Sequence, residues 1–175
     1  MIELRTPIGP EDHTQGDPNA PVTLVEYGDY ECPHCGRAYP IIKRLQEHFG
    51  GKLLFVYRNF PLTRTHPNAE PAAEAAEFAA TQGKFWEMHD LLFEHQNRLG
   101  PKLYEELAIQ LGLDPVGLTD ALDSGQFRER VRADFMGGVR SGVNGTPTFY
   151  INGQRHDGAF DYRFLVEAIA SVLSG

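Results

Sequence analysis

The hydrophobic positions in the first third of the chain predict a strand, a helix and a second strand. Val22 to Tyr27 is a β-favouring run with apolar side chains on both faces, as a strand covered on both sides requires. Apolar residues then recur at helical spacing from Ala38 to Phe49, and Gly50-Gly51 ends that helix. Leu53 to Tyr57 is a second continuous apolar run. This order predicts a parallel βαβ unit with a right-handed crossover.

The apolar positions keep a helical period from residue 66 to residue 142. Five segments carry this period: Ala69–Ala80, Phe85–Phe93, Leu103–Leu111, Val116–Leu122 and Phe127–Val139. A stretch of this length between two β regions is too long for a loop. We therefore predict an inserted, all-helical subdomain.

The end of the chain returns to the β pattern. Thr148 to Ile151 predicts a strand, Asn152-Gly153 a hairpin turn, and Gln154 to Asp157 an antiparallel return. A final helix follows, with Asp161 as its expected N-cap. The expected organisation is an N-terminal extension (1–21), a βαβ half (22–65), the helical insertion (66–142) and a ββα half (143–175).

Composition and charge narrow the class of protein. The chain has 175 residues, of which 41% are hydrophobic and 23% charged, and these values are typical of one globular domain with an insertion. A net charge of −8 disfavours nucleic acid as a partner. No apolar run approaches the roughly 18 residues of a membrane-spanning helix, so we expect no membrane insertion. We also expect a monomer.

The first 21 residues bear on where the protein resides. They lack the basic start and the apolar stretch of a signal peptide. From this we expect a cytoplasmic protein. The alternative is a periplasmic or other extracytoplasmic protein whose leader has been removed.

The two cysteines, Cys32 and Cys35, lie three residues apart where the first helix is predicted to begin. A lone Cys-x-x-Cys in a chain of this size indicates redox or metal chemistry. At a helix start the two thiols share a face and can come within bonding distance. Pro33 suits the first turn, where its missing N–H would have no partner.

The start of a helix also favours a thiolate. Free N–H groups and the helix dipole stabilise negative charge on Cys32, and a protonated His34 would add a positive charge nearby. Cys32 is thus the expected attacking thiolate, and Cys35 the resolving thiol that closes the disulfide. A zinc site would need two more ligands, and there is no other cysteine. We expect no metal and no cofactor beyond the cysteine pair.

Glu26 is an acid in a strand that is otherwise suited to burial. An unpaired carboxylate there should have a raised pKa. One hypothesis is that Glu26 shuttles a proton to and from Cys35. The alternative is a partly solvated acid paired with a basic neighbour such as Arg58.

The order of elements, the motif Cys32-Pro33-His34-Cys35 and the step Gly145-Thr146-Pro147 before a strand together resemble the DsbA-like branch of the thioredoxin superfamily. The resemblance extends from about Val22 to Val172. It implies an α/β protein with a thioredoxin fold, in which the βαβ and ββα halves form a mixed central sheet. It also implies an enzyme that exchanges disulfides with protein thiols.

The resemblance carries further expectations for single residues. Pro147 would be a cis-proline facing the cysteines, and Thr146 would offer its backbone to an extended substrate segment. The family has a lysine near the buried acid, and Phe55 occupies the position that we align with this lysine. The expected contact zone for clients is an apolar groove around Tyr30, Pro33 and Val143.

The direction of electron flow follows from the residues between the cysteines. A Pro-His pair resembles the oxidising end of a range from about −270 mV for thioredoxin to about −120 mV for DsbA. We therefore expect an oxidoreductase that oxidises protein or peptide thiols and is recycled by a redox partner. The alternatives are a cytosolic reductase or isomerase in stress protection, and a module that binds a metal, an iron–sulfur cluster or a peptide.

Overall fold

A five-stranded mixed sheet forms the centre of the computed structural model, which describes residues 1–175. The strands are β1 (His13–Gln15), β2 (Val22–Gly28), β3 (Leu53–Asn59), β4 (Thr148–Ile151) and β5 (Gln154–Arg155). The helices are α1 (Pro33–Phe49), α2 (Ala69–Ala80), α3 (Phe85–Glu94), α4 (Pro101–Gln110), α5 (Pro115–Ser124), α6 (Arg128–Arg140) and α7 (Tyr162–Ser174). The strand order across the sheet is β1-β3-β2-β4-β5.

The two halves of the predicted sheet are present. Strands β2 and β3 are parallel and joined by α1, while β4 pairs antiparallel with both β2 and β5. This arrangement confirms the thioredoxin fold. Strand β5 has only two residues and is shorter than the predicted return to Asp157. Asp161 does precede α7, but its side chain makes no capping hydrogen bond.

The helical insertion has the five predicted helices, α2 to α6, between β3 and β4. Helix α2 is at its centre and contacts α3, α4, α5 and α6. Its alanines are buried, and such short side chains let neighbouring helices approach closely. None of the helices in the structure is both long and apolar enough to cross a membrane.

Alternate residues of β2 face two separate cores. Val22 and Leu24 belong to a core of 34 buried residues that includes side chains of α1, α7 and the helical insertion. Val25 and Tyr27 belong to a core of seven buried residues on the other face of the sheet. Glu26 shares a face of β2 with Val22 and Leu24, so its side chain points into the larger core, on the side of the sheet that carries α1 and the cysteines.

The N-terminal segment is more than the extension that the sequence predicted. His13–Gln15 adds an edge strand antiparallel to β3. Arg58 of β3 binds this segment to the sheet. Its guanidinium binds the Asp12 carboxylate at 2.9 Å and donates to the carbonyl oxygens of Thr6 and Pro7. Arg58 is 3% exposed, so a buried ion pair joins the N-terminal segment to the sheet.

We predict that Asp12→Asn lowers the free energy of unfolding by about 3 kcal/mol, because it leaves the buried Arg58 charge unpaired. Denaturant unfolding at pH 7 measures this loss, and Glu11→Gln, at an exposed neighbour, serves as the control. An equal effect of the two substitutions would contradict the prediction.

The same ion pair predicts a pH dependence. Burial alone would raise the pKa of Asp12, but hydrogen bonds from Arg58 and Gly9 outweigh it and hold the pKa below its ordinary value. The stabilisation is therefore complete above about pH 5 and is lost as the pH falls through the folded-state pKa. The stability difference between wild type and Asp12→Asn should narrow in acid, and a constant difference down to about pH 2 would contradict this.

Candidate active site

The cysteine pair lies at the start of α1. Cys32 is the N-cap, with an extended backbone (φ −69°, ψ 123°), and Pro33 is the first helical residue. Both cysteines are free thiols. The exposed fraction is 4% for Cys32 and 0% for Cys35, so the pair is reached only through the Cys32 sulfur.

The two thiols have opposite pKa shifts. The pKa of Cys32 is lowered to about 5, chiefly by a hydrogen bond from the Cys35 thiol. Thr146 and the backbone N–H groups of Cys35 and His34 lower the pKa of Cys32 further, and together these contributions outweigh burial. Burial, followed by the Cys32 and Glu26 charges, raises the pKa of Cys35 well above its ordinary value.

The two residues between the cysteines are exposed. Pro33 begins the helix as predicted. His34 stabilises the Cys32 thiolate through its backbone N–H, and the added effect of a protonated His34 side chain stays a prediction. The favourable contribution of this position thus comes from the geometry of the helix start.

The loop before β4 faces the cysteines. The Thr146–Pro147 peptide bond is cis, the form that the family resemblance implied. The Cys32 thiol donates to the Thr146 carbonyl oxygen, with 3.6 Å between sulfur and oxygen. The Thr146 hydroxyl oxygen is buried and has no hydrogen-bond partner.

Glu26 lies beneath the cysteine pair. Its exposed fraction is 3%, and its Oε2 atom has no hydrogen-bond partner. Burial raises the pKa of Glu26 to about 8, with a further contribution from the Cys32 charge. The alternative of a pair with Arg58 is wrong, because Arg58 binds Asp12 and the Tyr27 hydroxyl.

Two residues of β3 flank Glu26 on the same face of the sheet, and Phe55 lines the same small cavity as Glu26. Tyr57 is opposite Glu26, and Phe55 is opposite Leu24. The Tyr57 hydroxyl is also buried without a partner. Gly28 makes room for both groups, since a Cβ atom there would come within 2.9 Å of Glu26 Oε2 and 2.8 Å of the Tyr57 hydroxyl.

A cavity of about 10 Å³ adjoins Glu26. This volume suits roughly one water molecule. The cavity is bordered by the half-exposed side chains of Gln15, Lys43 and Gln46. A proton could therefore pass from Glu26 towards the surface by way of polar groups.

Asp29 stabilises the turn that leads into the cysteine motif. It was not among the site residues predicted from the sequence. It is buried, and one carboxylate oxygen accepts from the backbone N–H groups of Glu31 and Cys32 at 2.7 and 3.1 Å. The other oxygen binds His66 Nδ1 at 2.8 Å and the Leu62 N–H at 2.9 Å. Asp29 thus joins Cys32 to the segment between β3 and α2.

Gln96 is a second residue that the sequence argument missed. Its side-chain amide donates to the carbonyl oxygens of Tyr30 and Cys32 at 2.9 and 2.8 Å. It occupies the space left by Gly36, where a Cβ atom would clash with it. In the sequence, the one feature that indicates this contact is Gly36, whose missing side chain leaves space beside Cys35.

The predicted client groove around Val143 is wrong. Val143 is 5% exposed and belongs to the smaller core, because its backbone N–H bonds to Gly138 and closes the end of α6. Tyr30 is also buried, and its hydroxyl contacts His89 Nδ1 at 2.9 Å. Of the three expected residues, only Pro33 is exposed.

Comparisons with known proteins agree with this geometry. A family model described as "Thioredoxin" matches residues 9–171, so the chain belongs to the thioredoxin family. The crystal structure of oxidised BdbD from Bacillus subtilis is similar, with a TM-score of 0.85, 30% identity and 94% coverage of each chain. A thioredoxin-like oxidoreductase from Silicibacter pomeroyi has a TM-score of 0.83, 26% identity and 95% coverage of each chain.

More distant structures share the fold. α-DsbA1 of Wolbachia pipientis has a TM-score of 0.84 at 20% identity, with 98% of this chain and 94% of that chain covered. The fold and the family model together define the class of the protein, a member of the thioredoxin family with the thioredoxin fold.

The curated relatives are much longer proteins. A protein named Na(+)/H(+) antiporter NhaA 1 from Salinispora arenicola is 44% identical over 176 residues, which are 100% of this chain and 27% of the relative. A protein of the same name from Mycobacterium sp. (strain KMS) is 45% identical over 96% of this chain and 28% of its own length. The chain spans about a quarter of these relatives.

We predict that the Cys32 thiol titrates near pH 5 in the reduced protein, as followed by the ultraviolet absorbance of the thiolate. In Cys35→Ala the pKa of Cys32 should be higher, because the Cys35 thiol supplies the largest stabilising hydrogen bond. A wild-type value above about 8, close to a free cysteine, would contradict the assignment.

Proposed function

We propose that this protein is a thiol:disulfide oxidoreductase that acts on the oxidising side, accepting electrons from protein or peptide thiols. The observation that carries the proposal is the contrast between the two cysteines, with a Cys32 pKa of about 5 beside a buried Cys35 whose pKa is raised. A low pKa makes Cys32 a good leaving group, and it stabilises the reduced enzyme.

The proposed reaction starts from the Cys32–Cys35 disulfide. A client thiolate attacks the Cys32 sulfur, the bond between the two cysteines breaks, and Cys35 leaves and is protonated. A second client thiolate then attacks the client sulfur of the mixed disulfide and releases Cys32 as a thiolate. The client gains a disulfide, and its two electrons remain on the cysteine pair.

Glu26 is the proposed proton donor and acceptor for Cys35. A leaving Cys35 thiolate needs a proton because its pKa is far above neutral. Glu26, with a pKa of about 8, carries a proton at pH 7 and can supply it. The small cavity beside Glu26 offers a path by which the proton is replaced.

The loop at Thr146 is the proposed contact for the client backbone. The Thr146 carbonyl oxygen is 3.6 Å from the Cys32 sulfur. An extended client segment joined to Cys32 would therefore pass beside the free groups of this loop and pair with them as a strand. Pro147 brings no N–H that could compete for the thiolate.

Partners and location complete the proposal. The reaction leaves the pair reduced, so a redox partner must remove two electrons before the next cycle. The cysteine pair itself is the redox group, and the proposal needs no further cofactor. For location, the cytoplasm stays our proposal, and a glutathione-buffered cytosol would make that partner essential.

We predict that the oxidised protein converts a reduced dithiol peptide to its disulfide, and that Cys32→Ser reduces the rate to background. Cys35→Ser keeps the nucleophile Cys32 but lacks the resolving thiol. When it is given a peptide whose single cysteine is activated as a disulfide, it should accumulate the mixed disulfide with Cys32, which mass spectrometry detects. Oxidation by Cys32→Ser at the wild-type rate would contradict the proposal.

We predict that Glu26→Gln slows closure of the Cys32–Cys35 disulfide roughly 100-fold near neutral pH, because Cys35 loses its proton acceptor. Stopped-flow measurement of the closure rate against pH tests this. The wild-type profile should bend near pH 8, and the bend should be absent in Glu26→Gln. Glu47→Gln, an exposed acid on α1, is the control. Identical profiles for wild type and Glu26→Gln would rule out the role.

A further inference from the structure

A cleft of about 630 Å³ lies in the helical insertion, between α2, α4, α5 and the start of α6. None of its lining residues belongs to the cysteine pair, to Glu26 or to the Thr146–Pro147 loop. Three of its lining residues are acidic, Glu70, Glu74 and Asp123, and one is basic, Arg128. We call it the acidic cleft.

Glu74 is the buried carboxylate of the acidic cleft. Its exposed fraction is 4%, and its Oε1 atom has no hydrogen-bond partner. Burial and the neighbouring charge of Glu70 raise the pKa of Glu74. A buried carboxylate oxygen without a donor is costly, so this position is suited to a donor that comes from outside the chain.

The one basic residue of the cleft does not supply that donor. Arg128 Nε is 4.0 Å from Glu70, and the Arg128 side chain is 56% exposed. Three carboxylates against one guanidinium leave the lining with a formal charge of −2. The cleft therefore attracts a cation and repels an anion.

Part of the wall of the acidic cleft is apolar. Prolines, leucines and one tyrosine form this part: Pro67, Pro71, Pro101, Tyr104, Leu118 and Leu122. A buried acid next to an apolar stretch of wall matches a positive group at the end of an apolar stem, as in the side chains of lysine and arginine.

The acidic cleft is connected to the cysteine motif. Asn68 lines the cleft, and its backbone and side-chain N–H groups each donate to the Glu31 carboxylate at 2.8 Å. Glu31 directly precedes Cys32. The Tyr104 hydroxyl, also in the cleft, donates to the Asn68 carbonyl at 3.3 Å. The cleft is thus linked through Asn68 to the residue that directly precedes Cys32.

We propose that the acidic cleft is a binding site for a guanidinium or alkylammonium group on an apolar stem, with Glu74 as its principal acceptor. The group has two possible sources, a basic side chain of the client polypeptide or a free small cation. The first source rests on the proposed thiol exchange, and the second does not.

The first experiment tests the site with small probes. n-Butylguanidinium and its neutral isostere n-butylurea are titrated into the full chain, and backbone amide NMR shifts are recorded. The guanidinium should shift amides around the cleft saturably, and the urea should not. Glu74→Gln should weaken binding roughly tenfold, and Asp123→Asn, at the exposed rim, should weaken it severalfold.

The control is Glu105→Gln, an exposed acid on α4 that does not line the cleft, and its affinity should equal that of wild type. Absence of saturable shifts up to about 10 mM would overturn the proposal. Equal binding of the two probes, or wild-type affinity in both Glu74→Gln and Asp123→Asn, would also overturn it.

The second experiment identifies the source. Dithiol peptides carry one lysine at varied distance from the reacting cysteine, each matched with a norleucine peptide. If the source is a client side chain, one lysine position should lower KM roughly tenfold with kcat unchanged, and Glu74→Gln should abolish the difference. If the probes bind but lysine has no effect at any position, the source is a free small cation. Failure to oxidise any peptide would count against the proposed function alone.

Discussion

Negative charge on the Cys32 sulfur has to be stabilised at the start of α1, and much of the surrounding structure serves this constraint. The helix begins one residue later, so its free N–H groups point at the sulfur. Asp29 binds the Cys32 N–H and Gln96 binds its carbonyl group, so the backbone on both sides of the sulfur is fixed. A hydrogen bond from the Cys35 thiol makes the largest contribution to the low pKa of Cys32, and Thr146 lowers that pKa further.

The same arrangement forces a different environment on Cys35. One turn into the helix its thiol is fully buried, and Glu26, whose charge raises the pKa of Cys35, is buried as well. Burial favours the neutral form of both groups. The thiolate at Cys32 and the protonated Cys35 thus follow from their different depths at the start of one helix, and Glu26 on β2 is protonated because it is buried. This gradient separates attacking and resolving roles in a pair of chemically identical residues.

The sequence predicted the elements of the fold that depend on local pattern. The two-sided apolar runs of β2 and β3, the helical period of the insertion and the hairpin at Asn152-Gly153 all identified elements that the structure contains. The β1 strand was missed because His13–Gln15 has three polar residues, and only the open edge of β3 makes them a strand. Motif spacing identified the cysteines, and strand alternation identified the burial of Glu26.

The remaining site residues depend on contacts between distant parts of the chain. Gln96 reaches Cys32 from a segment 64 residues away, and His66 reaches Asp29 across 37 residues, so no local pattern could indicate either. The expectation that Val143 contacts clients was wrong for the same reason, because the chain turns at the end of α6 and places Val143 in the smaller core. Tyr57 opposes Glu26 because of the sheet register, which sequence alignment by motif did not resolve.

The reduction potential of the Cys32–Cys35 pair tests the central claim most directly. It can be measured by equilibrating the protein with glutathione buffers of known ratio and quantifying free thiols. Since stabilising the Cys32 thiolate favours the reduced form, the account predicts a value nearer to about −120 mV than to about −270 mV. This interval corresponds to roughly 7 kcal/mol for two electrons. A potential at or below about −270 mV would contradict the account, because the pair would then be a reductant.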